Sequence, residues 1–257
     1  MKIFKETIGQ GEEVAILHGW GIDHRYMQPI VNFLKSRFHI TNVDLPGRGQ
    51  SEWPSSIHTI HDIADLLLPY LPKKAIYIGW SFGGLVSMSI AARYPERIKK
   101  LIGIATTPKF LEDDTWAGNA KPGFYAAVLE VEKIGAKKFF HGVFEKEFAD
   151  FDPKPPLYHE LLEIDNLLDY DLEIFAKGVH IADTTDLRKE FRSIQCPIDL
   201  IFGEFDPCIP LQAVAAMQKL NPNIHTHVIP HAKHFLFWTH PQEVNHLLNT
   251  IFNSLTG

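Results

Sequence analysis

The 257-residue chain has only two cysteines, no basic stripe, and no apolar run approaching the ~20 residues a membrane helix needs. Cys196 and Cys208 flank the apolar stretch Ile198 to Phe202. Read as a strand, that stretch would hold them on the order of 25 Å or more apart. A disulfide requires Cα atoms within about 7 Å, so none is expected. Two cysteines and scattered histidines give no zinc-ligand spacing, and neither a metal nor an organic cofactor is expected. The opening residues Met1-Lys2-Ile3-Phe4-Lys5-Glu6 lack the long apolar run of a signal peptide, which makes the cytoplasm the expected compartment. With a net charge of −6 and no RNA-binding signature, neither nucleic acid nor a membrane is an expected partner. What is present is 45% hydrophobic residues, ample for one large core or for a core with an inserted subdomain.

Apolar strand-like runs alternate with helix-like runs. Val14 to Leu17, His39 to Leu45, Ala75 to Ile78 and Ile98 to Ala105 read as strands, with helices over about 23–37, 58–70 and 85–94 between them. The regular alternation stops after about the sixth strand and resumes with strand Ile198 to Gly203, helix Leu211 to Leu220, strand Ile224 to Ile229 and a last helix from Pro241 to Leu255. This order predicts an α/β fold, a mostly parallel sheet with helices on both faces. Residues 108–186 are helical, charged and aromatic, and are expected to form a lid inserted into a core of 1–107 and 187–257. They carry 8 basic against 17 acidic residues, a net charge of −9, so the remainder is +3. No internal repeat or low-complexity tract is seen.

Gly79-Trp80-Ser81-Phe82-Gly83 lies where a strand ends and a helix begins, the context of a nucleophile elbow. The tight turn lifts the serine hydroxyl above the sheet. Flanking glycines are needed because side chains there would collide with the neighbouring strand and helix. The following helix points its positive end at Ser81. A serine hydroxyl is a poor nucleophile until a base takes its proton, so a histidine and an orienting carboxylate are expected further on. Asp206 follows strand Ile198–Phe202 in the loop at the same sheet edge as Ser81, with Asp199 and Glu204 as alternatives. His234 stands in the loop after the last strand, with His231 as its alternative. Backbone N–H groups of Phe82 and Trp20 are expected to hold the developing oxyanion. The side chains of Trp20 and Phe82, together with lid aromatics, are expected to line an apolar acyl pocket; an aromatic cluster without a ligand is the other reading.

The segments His18-Gly19-Trp20-Gly21, Asp44-Leu45-Pro46-Gly47-Arg48-Gly49-Gln50-Ser51, Gly79-Trp80-Ser81-Phe82-Gly83-Gly84 and Gly203-x-x-Asp206 resemble the α/β-hydrolase superfamily over essentially the whole chain. With tryptophan in both the HGWG and GWS motifs, the elbow Gly79 to Leu85, Tyr94-Pro95-Glu96-Arg97-Ile98, and Thr106-Thr107-Pro108-Lys109-Phe110 and Trp116-Ala117-Gly118 leading into the lid, the chain is most similar to the BioH-type pimeloyl-ACP methyl ester esterases of biotin synthesis. The resemblance implies hydrolysis of a methyl ester at the far end of a pimeloyl chain on acyl carrier protein, with release of methanol and without a cofactor. Lys137-Lys138-Phe139-Phe140 is similar to that family's basic-then-aromatic lid helix, which implies a substrate-binding role for Phe139, Phe140 and Val143. The chain departs from the family in its acidic lid, which should repel an acidic carrier unless Lys133, Lys137 and Lys138 suffice, and in His231, where glycine is common. The expected partner is an ester substrate, on acyl carrier protein by the resemblance, and the chain is expected to act as a monomer. A general short-chain carboxylesterase, a thioesterase or a carbon–carbon bond hydrolase would use the same three residues. A ligand receptor that does not turn over would use the same fold.

Overall fold

The structure, a computed structural model, describes residues 2–254; Met1 and the expected end of the last helix at Leu255 lie outside the described residues. Seven strands form one sheet in the order β1-β3-β2-β4-β5-β6-β7. They are β1 (Lys5–Ile8), β2 (Glu12–Leu17), β3 (Phe38–Val43), β4 (Ala75–Trp80), β5 (Ile98–Ile104), β6 (Ile198–Gly203) and β7 (Ile224–Ile229). Only β1, at the edge, pairs antiparallel, with Lys5 opposite Val43. The sequence reading missed this strand, which brings the interruption after the fifth strand rather than about the sixth. Its four residues alternate exposed and half-buried, so they lack the apolar run that marks the central strands.

The sheet is covered on both faces. Along β2, Val14 and Ile16 point to one face and Ala15 and Leu17 to the other, the period-two alternation of a strand. On the first face they meet α1 (Gln28–Leu34), α10 (Leu236–Thr239) and α11 (Pro241–Asn253). On the second they meet α2 (Ile60–Leu67), α3 (Phe82–Arg93), α8 (Arg188–Ser193) and α9 (Leu211–Leu220). All six residues of β4 are buried, as a central parallel strand requires.

Between β5 and α8 the chain forms α4 (Tyr125–Ile134), α5 (Ala136–Glu147), α6 (Pro156–Asn166) and α7 (Leu172–Thr184). These helices share an apolar cluster with the first face of the sheet: Phe140, Phe144, Phe148 and Leu161 belong with Trp80, Ile104 and Phe235. A buried polar contact ties them down as well, since the Tyr26 hydroxyl donates to Asp165 of α6 at 2.7 Å. The Tyr170 hydroxyl donates to the same carboxylate oxygen.

Candidate active site at the carboxyl edge of the sheet

Ser81 occupies the turn between β4 and α3 with φ 52° and ψ −117°, a backbone conformation that non-glycine residues rarely adopt. Neighbouring segments hold it there. Its N–H donates to the Ile104 carbonyl at 2.9 Å, and its carbonyl accepts from the Thr106 hydroxyl at 2.7 Å. The turn depends on glycine for space: a Cβ on Gly79 would lie 2.5 Å from the Gly84 Cα, and one on Gly83 would lie 2.2 Å from the Leu17 carbonyl oxygen.

Asp206 and His234 arrive from loops at the same edge, after β6 and β7 respectively. The His234 Nδ1–H donates to both Asp206 carboxylate oxygens, at 2.9 and 3.1 Å, and Nε2 accepts from the Ser81 hydroxyl at 3.0 Å. The tautomer follows from the partners, because an ionised carboxylate accepts only. Asp206 is itself fixed by the N–H groups of Cys208 and Ile209, at 2.7 and 3.1 Å. Burial pushes the His234 pKa down, but the charge and hydrogen bond of Asp206, with a further contribution from Glu147, outweigh it and leave the pKa raised.

The alternatives have other work. Asp199 lies inside the sheet in an ion pair with Lys100 at 2.7 Å. Glu204 accepts from the His231 N–H at 2.9 Å, and the His231 side chain is 80% exposed. His231 has φ 61°, in the left-handed region, which accounts for the glycine expected at this position.

Among the described residues, the backbone N–H groups of Trp20 and Phe82 donate to no protein acceptor, and both residues border the same cavity as Ser81. His18 shapes the loop that carries Trp20. Its Nδ1–H donates to the Gly19 carbonyl at 2.6 Å, and Nε2 accepts from the Leu45 N–H at 2.9 Å. Burial pushes its pKa down to about 4, so it is neutral at pH 7.

The cavity has a volume of about 190 Å³ and is lined by Trp20, Phe82, Phe139, Phe140 and Val143, the five residues expected there. The sequence reading did not find Phe110, Phe124, Ala127, Phe175, Val179 and Ala182, which also line it. Phe175, Val179 and Ala182 stand at i, i+4 and i+7 on α7, a spacing that marks one helix face and was available in the sequence. Trp20 is held against that helix. Its indole N–H donates to the Phe175 carbonyl at 3.0 Å, and its ring fills the place where a Cβ on Gly178 would lie 1.9 Å away. Trp80, recognised only as part of the motif, also borders the cavity, and its indole N–H donates to the His234 carbonyl at 3.1 Å. Among the described residues, no lysine or arginine lines the cavity.

Among the described residues, two groups of three offer ligand atoms within 4.8 Å of one another: Asp206, Cys208 and His234, and Asp23, His24 and Asp44. In each, a carboxylate and an imidazole already hydrogen-bond to each other, Asp44 with His24 at 2.6 Å and Asp206 with His234. Both cysteines are free thiols.

A parallel sheet interrupted by helices after β5, with a serine at the β4–α3 turn, defines the α/β-hydrolase architecture. Residues 14–247 match the model of the Alpha/beta hydrolase family, and the chain belongs to that family. Solved structures agree at the level of fold. An esterase from Exiguobacterium antarcticum superposes with a TM-score of 0.85 at 21% identity, covering 97% of this chain and 94% of its own. A thermophilic esterase from Thermogutta terrifontis reaches 0.79 at 22%, covering 98% and 93%. An enol-lactonase from Burkholderia xenovorans LB400 reaches 0.81 at 19%, covering 99% and 96%. No helix among the described residues is long and apolar enough to cross a membrane.

Proposed function

We propose that the protein is a serine carboxylesterase and that its substrate is the methyl ester of a pimeloyl chain carried on acyl carrier protein. The observation that carries the esterase reading is the hydrogen-bonded row Ser81–His234–Asp206 at the wall of an apolar cavity. His234 takes the Ser81 proton as the oxygen attacks the ester carbonyl, and Asp206 stabilises the imidazolium that results. The N–H groups of Trp20 and Phe82 receive the oxyanion. His234 then protonates the departing methoxide, an acyl-serine remains, and water activated by the same histidine releases the acid.

The methyl ester reading rests on the motifs shared with BioH-type esterases and is supported by the cavity, whose apolar walls without lysine or arginine suit an uncharged alkyl chain better than a free carboxylate. Carrier docking is assigned to Lys133, Lys137 and Lys138, all exposed on or beside α4 and α5, and the helices 108–186 act as the lid.

Two measurements test this. Replacing Ser81 by Ala is expected to lower esterase turnover by a factor on the order of 10⁴ or more while leaving the fold intact; a variant with wild-type turnover rejects the serine mechanism. Purified protein should hydrolyse pimeloyl-ACP methyl ester more efficiently than the same methyl ester without the carrier. Equal efficiency leaves a general short-chain carboxylesterase.

A further inference from the structure

Glu147, the last residue of α5, is 5% exposed and does not line the cavity, yet its carboxylate is turned toward the loop that holds His234. Its Oε2 accepts from the Phe235 N–H at 2.9 Å. The same stretch meets this loop three more times. Lys233 Nζ donates to the Lys146 carbonyl at 2.9 Å and to the Asp150 carboxylate at 2.7 Å, and the Phe144 and Phe235 rings pack edge to face at 5.6 Å. Burying a carboxylate is costly, and a neutral acceptor would satisfy one backbone amide equally well. A carboxyl group at this buried place therefore calls for an account of its own.

We propose that Glu147 is a positioning residue, which fastens the His234 loop to the inserted helix α5 and sets a second negative charge behind the imidazole. This inference rests on reading Ser81, His234 and Asp206 as the triad. The surroundings leave few competing charges. Asp206 and Glu147 are the carboxylates that act on His234, and the neighbouring Cys208 thiol is pushed well up by burial and stays neutral. The Lys233 ammonium is spent on Asp150 and the Lys146 carbonyl, and His231 faces Glu204. Burial raises the Glu147 pKa above the usual carboxylate value, against the opposing pull of the Phe235 amide and of His234. An ionised Glu147 favours the imidazolium, so removing its charge lowers the His234 pKa. The acid limb of kcat/KM, which reports the loss of neutral His234, then moves to lower pH.

The experiment is an NMR titration of the His234 ring in the full-length protein, with the kcat/KM profile of a p-nitrophenyl ester alongside, for the wild type, Glu147→Gln and Glu147→Ala. Glu147→Gln retains an acceptor for Phe235 and is expected to lower the His234 pKa by about half a unit, with the acid limb following and plateau activity within about threefold. Glu147→Ala leaves that amide unpaired and is expected to lower kcat by about tenfold with KM little changed. Should the alanine variant fail to fold, the glutamine variant decides. A His234 titration in Glu147→Gln that superimposes on the wild type overturns the proposal. If the wild-type protein does not hydrolyse the ester, the triad reading fails, and the titration still shows whether Glu147 acts on His234.

Discussion

Trp80 shows how a residue one position before the serine helps to place a histidine more than a hundred and fifty positions away in the chain. Its indole N–H holds the His234 carbonyl at 3.1 Å, and its ring packs against Phe235 and Phe237 at 4.7 and 5.1 Å, both edge to face. The loop bearing His234 is thus clamped between Trp80 and the α5 terminus. Replacing Trp80 by Phe retains most of the packing but removes the donor, leaving a buried carbonyl short of a partner. The expected effect is a loss of about 1 kcal/mol in transition-state stabilisation, roughly a fivefold fall in kcat, read from steady-state ester hydrolysis. Unchanged kcat would show that the Trp80 donor does not help to orient the ring. Asp206 was legible in the sequence because a carboxylate just past a strand's carboxyl end has a recognisable place. Nothing local announces that an indole will reach His234.

At the scale of elements, the three strands β5, β6 and β7 are joined by charge as well as by their backbone ladder. Asp199 on β6 is 3% exposed, pairs with Lys100 on β5 at 2.7 Å and accepts from His227 on β7 at 2.8 Å. Burial alone would raise the Asp199 pKa; His227 and Lys100 outweigh it, so the carboxylate stays charged. Removing one partner strands the other's charge in the interior. Asp199→Ala is therefore expected to cost about 3–5 kcal/mol in urea unfolding, with kcat of the folded protein unchanged. A loss of activity at unchanged stability would return Asp199 to consideration as the carboxylate that orients His234. The central strands were readable because a parallel sheet buries both faces and demands continuous apolar runs, whereas β1 is short, half-exposed and at an edge. Residues 108–186 were readable as helical, but not the use of Gly178 on α7 to seat the Trp20 ring, because that fit depends on a loop from the other end of the chain.

For the whole molecule, pH acts on stability through His18, which is buried and joins the loops after β2 and β3. Its pKa falls from 6.5 to about 4 on folding, chiefly through burial. The unfolded chain therefore binds the proton more readily than the native one. The contribution is fully present above pH 6.5 and is lost as pH falls toward about 4, about 3 kcal/mol in all. Urea unfolding followed across this window should show a steeper pH dependence for the wild type than for His18→Asn; equal slopes would remove His18 as the cause. Charge is also divided across the molecule, with −9 on residues 108–186 and +3 on the rest. The acidic helices nevertheless seat against the core, through the apolar cluster of Phe140, Phe144 and Phe148 and the buried contact of Tyr26 with Asp165.

The sequence by itself determined the alternation of strands and helices, the serine at the β4–α3 turn and the carboxylate and histidine at the matching strand ends, because each of these is written in a few adjacent residues. Tertiary structure alone decided between His234 and His231, brought Phe110, Phe124 and Phe175 to the cavity wall, and carried Glu147 to the Phe235 amide. Those contacts join segments scores of residues apart, and local propensity carries no record of which distant side chain will fill a given space.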